Sequence, residues 1–133
     1  MTGYDYEYAV ADYLQQHGFH DVEVTKASGD YGVDIIAEKD FLKYAIQCKY
    51  YSNPVGIAAV QEVAAGRSMY GCTVAMVVTN STFTPAAENL AKANGVVLMS
   101  GISGVPKTIE TSGEQPETSP DITDPPPVLD ADN

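Results

Sequence analysis

The chain has 133 residues, 44% of them hydrophobic, which is enough for one domain with a buried core. It lacks both the roughly 20 apolar residues of a membrane helix and the opening pattern of a signal peptide, so we expect no membrane association and a cytoplasmic location. Its net charge of −11 argues against a strongly basic protein of the kind that binds nucleic acid tightly through positive surface charge.

The first element is predicted to be a helix over residues 4–16. Tyr6, Val10 and Leu14 recur at helical spacing and form one apolar stripe, which Gly18 would end. Glu7 lies beside that stripe, so its side chain is predicted at the edge of the core.

Three strands are predicted to follow, over residues 22–25, 33–38 and 44–50. A glycine-rich turn at 28–32 and a charged turn at 38–40 separate them, so the strands form a meander.

The second half alternates helices and strands. Residues 55–70 have the spacing of a helix, and the continuous apolar run at 74–78 is typical of a strand buried on both faces. Thr84 is predicted to cap a helix that Gly95 ends, and residues 96–99 form a last strand. The predicted order is αβββαβαβ, an α/β class.

Acidic residues are concentrated in the final segment. Residues 108–133 contain seven acids, five prolines and no base, which predicts a disordered acidic tail after a domain over 1–107. The domain keeps 11 acids and 7 bases, a net charge of −4, so tight DNA binding by this chain alone is not expected. The tail would act either as a solubilising linker or as an acidic decoy in a phosphate-binding groove.

Cysteine and histidine patterns do not support a zinc or nucleophile site. Cys48 and Cys72 lack CxxC spacing and are predicted to be buried free thiols. His17 and His20 flank a helix-to-strand turn, where we expect them to face solvent.

The chemically most informative residues are an acid after the glycine-rich turn and two polar residues on the next strand. Side chains alternate along a strand, so Gln47 and Lys49 share one face, while Tyr44, Ile46, Cys48 and Tyr50 share the other. Asp34 would lie beside Gln47 on the neighbouring strand. A carboxylate, an amide and an ammonium would then converge.

These segments resemble a known family. GDYGVDIIA at 29–37, YAIQCKYY at 44–51, VQEV at 60–63 and VTNSTFT at 78–84 look like the catalytic domain of Mrr-type restriction endonucleases. That family is a branch of the PD-(D/E)xK nuclease superfamily. The resemblance covers roughly residues 4–100 and implies a restriction-endonuclease-like three-layer fold with a central mixed sheet of about five strands flanked by helices.

The resemblance also implies a catalytic and metal-binding site. Asp34 matches the metal-binding acid, and Gln47 stands where most of the superfamily has Glu or Asp. Lys49 matches the lysine that orients the attacking water and offsets developing charge. The peptide carbonyl of Cys48 and the first-helix acid Glu7 would complete the ligands of Mg²⁺, for which Mn²⁺ may substitute.

Alternatives remain open around these positions. Glu7 could instead belong to the charged face of its helix, and a one-residue slip in strand register would make Asp30 the ligand. Gln61 resembles a polar helix residue beside the site, although Gln61 and Glu62 could equally be surface positions. Tyr50 and Tyr51 could stack on bases or pack within the sheet.

The sequence therefore predicts a Mg²⁺-dependent DNA endonuclease acting in restriction, defence or DNA repair. The alternative is a catalytically weak or inactive nuclease-fold module that binds nucleic acid or a protein, which the neutral Gln47 and the −4 domain favour. Because cutting both strands of DNA commonly needs two active sites, we expect a homodimer, and a partner subunit or domain is one possible source of DNA specificity.

Overall fold

Five strands form one mixed sheet in the spatial order β1-β2-β3-β4-β5. The computed structural model describes residues 1–25 and 32–104. Strands β1, β2 and β3 pair antiparallel, whereas β3, β4 and β5 pair parallel. The elements are α1 (Gly3–Gln16), β1 (His20–Val24), β2 (Ile35–Lys39), β3 (Leu42–Lys49), α2 (Ile57–Met69), β4 (Val74–Thr79), α3 (Pro85–Asn94) and β5 (Val96–Met99).

Helices cover both faces of the sheet. The stripe of α1, with Tyr6, Val10 and Leu14 fully buried, packs on one face. Helices α2 and α3 pack on the other face through residues such as Val60 and Ala87. The predicted three-layer α/β fold and the element order αβββαβαβ are therefore confirmed.

Strand β4 is the centre of the hydrophobic core. Met76 and Val78 pack toward α1, and Ala75 and Val77 pack toward α2 and α3. All four are buried, as predicted for a strand covered on both faces.

The helix ends follow the predicted capping chemistry. Thr84 accepts a hydrogen bond from the backbone N–H of Ala87 at 3.1 Å, and Gly95 ends α3 in a left-handed conformation. An additional cap not predicted from the sequence is formed at the start of α1, where Thr2 and Asp5 make a reciprocal capping box.

A turn was predicted at residues 38–40, but the structure has it slightly later in the chain. Strand β2 continues through Lys39, and the turn consists of Asp40 and Phe41, whose φ angles are 54° and 68°. Two positive φ angles are those of a tight two-residue hairpin, whose twist matches the flanking strands. This lets β3 begin at Leu42, earlier than expected.

Other predictions have mixed outcomes. Cys48 and Cys72 are both free and only partly buried, and His17 and His20 are exposed. In the described ranges, no helix is long and apolar enough to cross a membrane. The predicted tail at 108–133 and the alternative ligand Asp30 lie outside the described residues, so the division into two regions stays a prediction.

Candidate active site

Strand pairing places Asp34 next to Gln47. Ile35 of β2 is opposite Ile46 of β3, so the same register continued by one residue sets Asp34 opposite Gln47. The backbone N–H of Asp34 donates to the Ile46 carbonyl at 2.8 Å, which holds this end of β2 against β3. The register is the one on which the predicted site depends.

The Asp34 side chain is fixed by the backbone of β3. Its Oδ2 accepts a hydrogen bond from the N–H of Cys48 at 2.8 Å, and the residue is only 9% exposed. Burial raises the pKa of Asp34, against the lowering effects of the Cys48 N–H, a hydrogen bond with Glu7 and the charge of Lys49. Because burial favours the neutral carboxyl, a positive charge nearby, such as that of Lys49 or of a bound cation, favours the ionised form.

Glu7 reaches the same place from α1. Its pKa is raised to about 7, first by burial, then by the negative charge of Asp34, and then by the hydrogen bond that a protonated Glu7 can donate to Asp34. The two carboxyl groups are therefore neighbours, and the structure brings the first-helix acid to the strand acid as the resemblance implied.

Gln47 and Lys49 both lie near one carboxylate of α2. The Gln47 side chain is 3% exposed, and its Nε2 donates to Glu62 Oε1 at 2.9 Å. Lys49 Nζ lies 4.0 Å from the same oxygen, and the Lys49 side chain is 25% exposed. The ammonium is thus close enough to Asp34 to lower its pKa and still open to solvent.

Two buried oxygens at this site have no hydrogen-bond partner. Within residues 1–25 and 32–104, Glu7 Oε1 and Gln47 Oε1 are the buried side-chain polar atoms left unpaired. A buried acceptor without a partner is costly, and native structures usually pair it with water, an ion or a donor. Both atoms are of the kind that Mg²⁺ and Mn²⁺ prefer, so this donor set fits a divalent cation.

The three predicted substrate-binding residues are all exposed. Tyr50 and Tyr51 are 41% and 43% exposed. The Tyr50 ring lies 5.2 Å from that of Tyr6, and Lys49 Nζ lies 5.7 Å from the centre of the Tyr51 ring. Gln61 is exposed on α2. Their predicted role in substrate binding, and that of the Cys48 carbonyl as a ligand, stay predictions.

The sequence left Glu62 undecided between the helix surface and the site, and the structure places it at the site. Glu62 comes three residues after Ala59 and four before Gly66, two small residues that are buried. The sequence alone did not single out Glu62, because Gln61 also has alanines three positions before it and three and four positions after it, and only the fold shows which small residues are buried.

A second cluster of possible ligands lies at the opposite end of β2. His20, Asp21 and Glu38 have ligand atoms within 4.8 Å of one another. His20 and Asp21 are exposed, and His20 Nδ1 is 2.6 Å from Asp21 Oδ2. This cluster contains none of the predicted site residues.

The comparison with family models decides which family this is. The model Mrr_cat, described as a restriction endonuclease, matches residues 1–103. The chain belongs to the Mrr-type restriction endonuclease family. The resemblance inferred from the sequence motifs is thereby confirmed, whereas no curated protein sequence matches this Mrr-type chain.

Solved structures share the fold of the Mrr-type domain. A protein of unknown function, AF1548, is 27% identical, with a TM-score of 0.59 over 72% of this chain and 58% of that one. The restriction endonuclease MspJI in complex with a 27-mer oligonucleotide is 19% identical, with a TM-score of 0.60 over 75% of this chain and 26% of its own.

A third structure gives the same picture. The DNA modification-dependent restriction endonuclease AspBHI is 18% identical, with a TM-score of 0.50 over 77% of this chain and 29% of its own. The Mrr-type chain therefore spans less than two thirds of the length of each of these three proteins.

Proposed function

We propose that this chain is the catalytic domain of a DNA endonuclease that hydrolyses phosphodiester bonds with a divalent cation, Mg²⁺ or Mn²⁺. The observation that carries the proposal is the pair of buried, unpartnered oxygens, Glu7 Oε1 and Gln47 Oε1, next to the buried carboxyl of Asp34. Membership in the restriction endonuclease family supports the same reaction.

Each residue has a role that its surroundings permit. Asp34, Glu7 and Gln47, with the Cys48 carbonyl, would hold the cation. When bound, the cation supplies Lewis-acid charge to the phosphodiester. The Cys48 N–H fixes Asp34 Oδ2 and so sets the direction of the carboxyl group.

Lys49 is the residue proposed to act on water and on charge. It lies on the same face of β3 as Gln47, and its positive charge lowers the pKa of Asp34. An ammonium there orients the attacking water by hydrogen bonding and offsets the negative charge that grows on the phosphate during attack. Its partial exposure leaves room for DNA to approach.

The test is cleavage of supercoiled plasmid in Mg²⁺ or Mn²⁺. We expect nicked or linear products from the wild-type chain and a loss of roughly 100-fold or more for Lys49→Met and Asp34→Asn, as for other electrostatic and metal-binding groups. Lys43→Ala is the matched control, because Lys43 is an exposed lysine on the same strand. Cleavage that survives both site variants would exclude this site.

The neutral amide at Gln47 favours a second candidate. A site with one carboxylate fewer binds a cation less strongly, which suits a nuclease-fold module that binds DNA or a protein without cutting. Calorimetry with Mn²⁺ and a short duplex separates the two, since the module would bind duplex with no effect of the metal or of Asp34→Asn.

DNA recognition is proposed to come from outside this domain. The domain has a net charge of −4 over residues 1–107, too little positive charge for tight nonspecific binding. It also matches only 26% of the MspJI chain. We propose that a further domain or partner subunit supplies specificity in restriction, defence or repair, and that a homodimer supplies the two sites for a double-strand cut.

A further inference from the structure

Among the described residues, Glu62 makes the side-chain hydrogen bond that determines which way the Gln47 amide faces. Its Oε1 accepts a hydrogen bond from Gln47 Nε2 at 2.9 Å. An ionised carboxylate only accepts hydrogen bonds, and only the NH₂ end of an amide can donate one. The contact therefore selects one of the two orientations of the Gln47 side chain.

That orientation leaves the amide oxygen as the free end. Gln47 Oε1 is buried and has no hydrogen-bond partner among the described residues. If the amide were reversed, its NH₂ group would occupy this position and would repel a cation. The orientation seen is the one in which Gln47 can act as an oxygen ligand.

The backbone at Gly32 packs closely against Glu62 and Gln47. A Cβ added to Gly32 would lie 2.6 Å from Glu62 Cβ and 2.9 Å from Gln47 Nε2. The turn that precedes Asp34 therefore lies directly against this hydrogen-bonded pair. This contact sets the spacing between the turn and α2 at Glu62.

We propose that Glu62 is a positioning residue, which orients the Gln47 amide so that its oxygen faces the divalent cation. This inference rests on the proposed function, because it requires a cation at Asp34 and Gln47. It adds a residue from α2 that the resemblance did not assign, and it explains how a neutral amide serves where a carboxylate is usual. A carboxylate needs no orienting partner, but an amide does.

The test measures Mn²⁺ binding without DNA, by calorimetry, for the wild-type chain and four variants. Glu62→Ala should weaken binding about tenfold or more, the usual effect of removing a group that orients a ligand. Glu62→Gln keeps a carbonyl oxygen that can accept from Gln47, so its affinity should stay within about fivefold of wild type. Glu88→Ala, which removes an exposed acid from α3, is the control and should bind normally, and Asp34→Asn should not bind.

Each outcome has a defined meaning. Wild-type affinity in Glu62→Ala, with binding lost in Asp34→Asn, would overturn the positioning role and leave the proposed function standing. Equal losses in Glu62→Gln and Glu62→Ala would also overturn it, because the carboxylate would then act by its charge or as a ligand. Absence of Mn²⁺ binding by the wild-type chain would instead defeat the proposed function itself. Because Glu62 is half exposed on a helix, Glu62→Ala should fold, which circular dichroism checks.

Discussion

Replacing Gly32 with alanine tests whether the site is held together by close backbone packing. Gly32 has φ +63°, a left-handed conformation that favours glycine. An added Cβ would lie 2.6 Å from Glu62 Cβ, 2.9 Å from Gln47 Nε2 and 3.0 Å from the Glu62 carbonyl carbon. The first and third of these atoms belong to the rigid part of α2, so relief requires the helix or the turn to move.

The expected cost has two parts. A non-glycine residue in the left-handed region costs about 1–2 kcal/mol. Forcing an extra methyl group into a packed site costs about 1–3 kcal/mol more. Gly32→Ala should therefore lower the free energy of unfolding by about 2–5 kcal/mol, which is about 8–40 °C in Tm for a domain of this size.

Gly71→Ala is the matched control. Gly71 has φ +64°, and a Cβ built there meets nothing within 4 Å. This variant should lose only the backbone part, about 1–2 kcal/mol. Urea denaturation of both variants isolates the packing part as their difference, and Mn²⁺ binding should be weakened in Gly32→Ala alone. Equal destabilisation by the two substitutions, or unchanged Mn²⁺ binding in Gly32→Ala, would refute the close packing of the turn against Glu62 and Gln47.

Three further outcomes are expected. Because the folded-state pKa of Glu7 is raised to about 7, its protonation stabilises the metal-free fold at low pH, and this contribution is lost as the pH rises through about 7. Urea melts at pH 5 and 8 should show lower stability at pH 8, and Glu7→Gln should reduce the difference. Mn²⁺ affinity should show the opposite trend and rise from pH 5.5 to 8, since protons compete for Glu7; a flat calorimetric profile would contradict this. Tyr6→Phe removes the 2.6 Å hydrogen bond from Tyr6 Oη to the Ile102 carbonyl and should cost about 1 kcal/mol without changing Mn²⁺ affinity, as measured by the same two methods.

The regular elements could be predicted because their apolar residues follow the helix and strand periods. The stripe of α1 and the continuous run of β4 were both visible in the sequence, and both are buried. The hairpin at Asp40 and Phe41 could not be predicted in this way. Tight hairpins usually carry the sequence Asn-Gly or Asp-Gly at the turn. Here the second turn residue is Phe41, a fully exposed aromatic residue in the left-handed conformation.

The part of the site that lies on the strands could be predicted from strand geometry. Alternation along β3 puts Gln47 and Lys49 on one face, and antiparallel pairing sets Asp34 opposite Gln47. Contacts between elements distant in sequence need tertiary packing. The choice between Gln61 and Glu62 depends on the rotation of α2 against the sheet, which the local pattern alone did not fix.

Diffraction from a crystal soaked in Mn²⁺, recorded at a wavelength where manganese scatters anomalously, tests the central claim most directly. The account predicts an anomalous peak in coordination contact with the side-chain oxygens of Glu7, Asp34 and Gln47, and loss of that peak in Asp34→Asn. A peak only at the cluster of His20, Asp21 and Glu38, or none between Asp34 and Gln47 at saturating Mn²⁺, would contradict it.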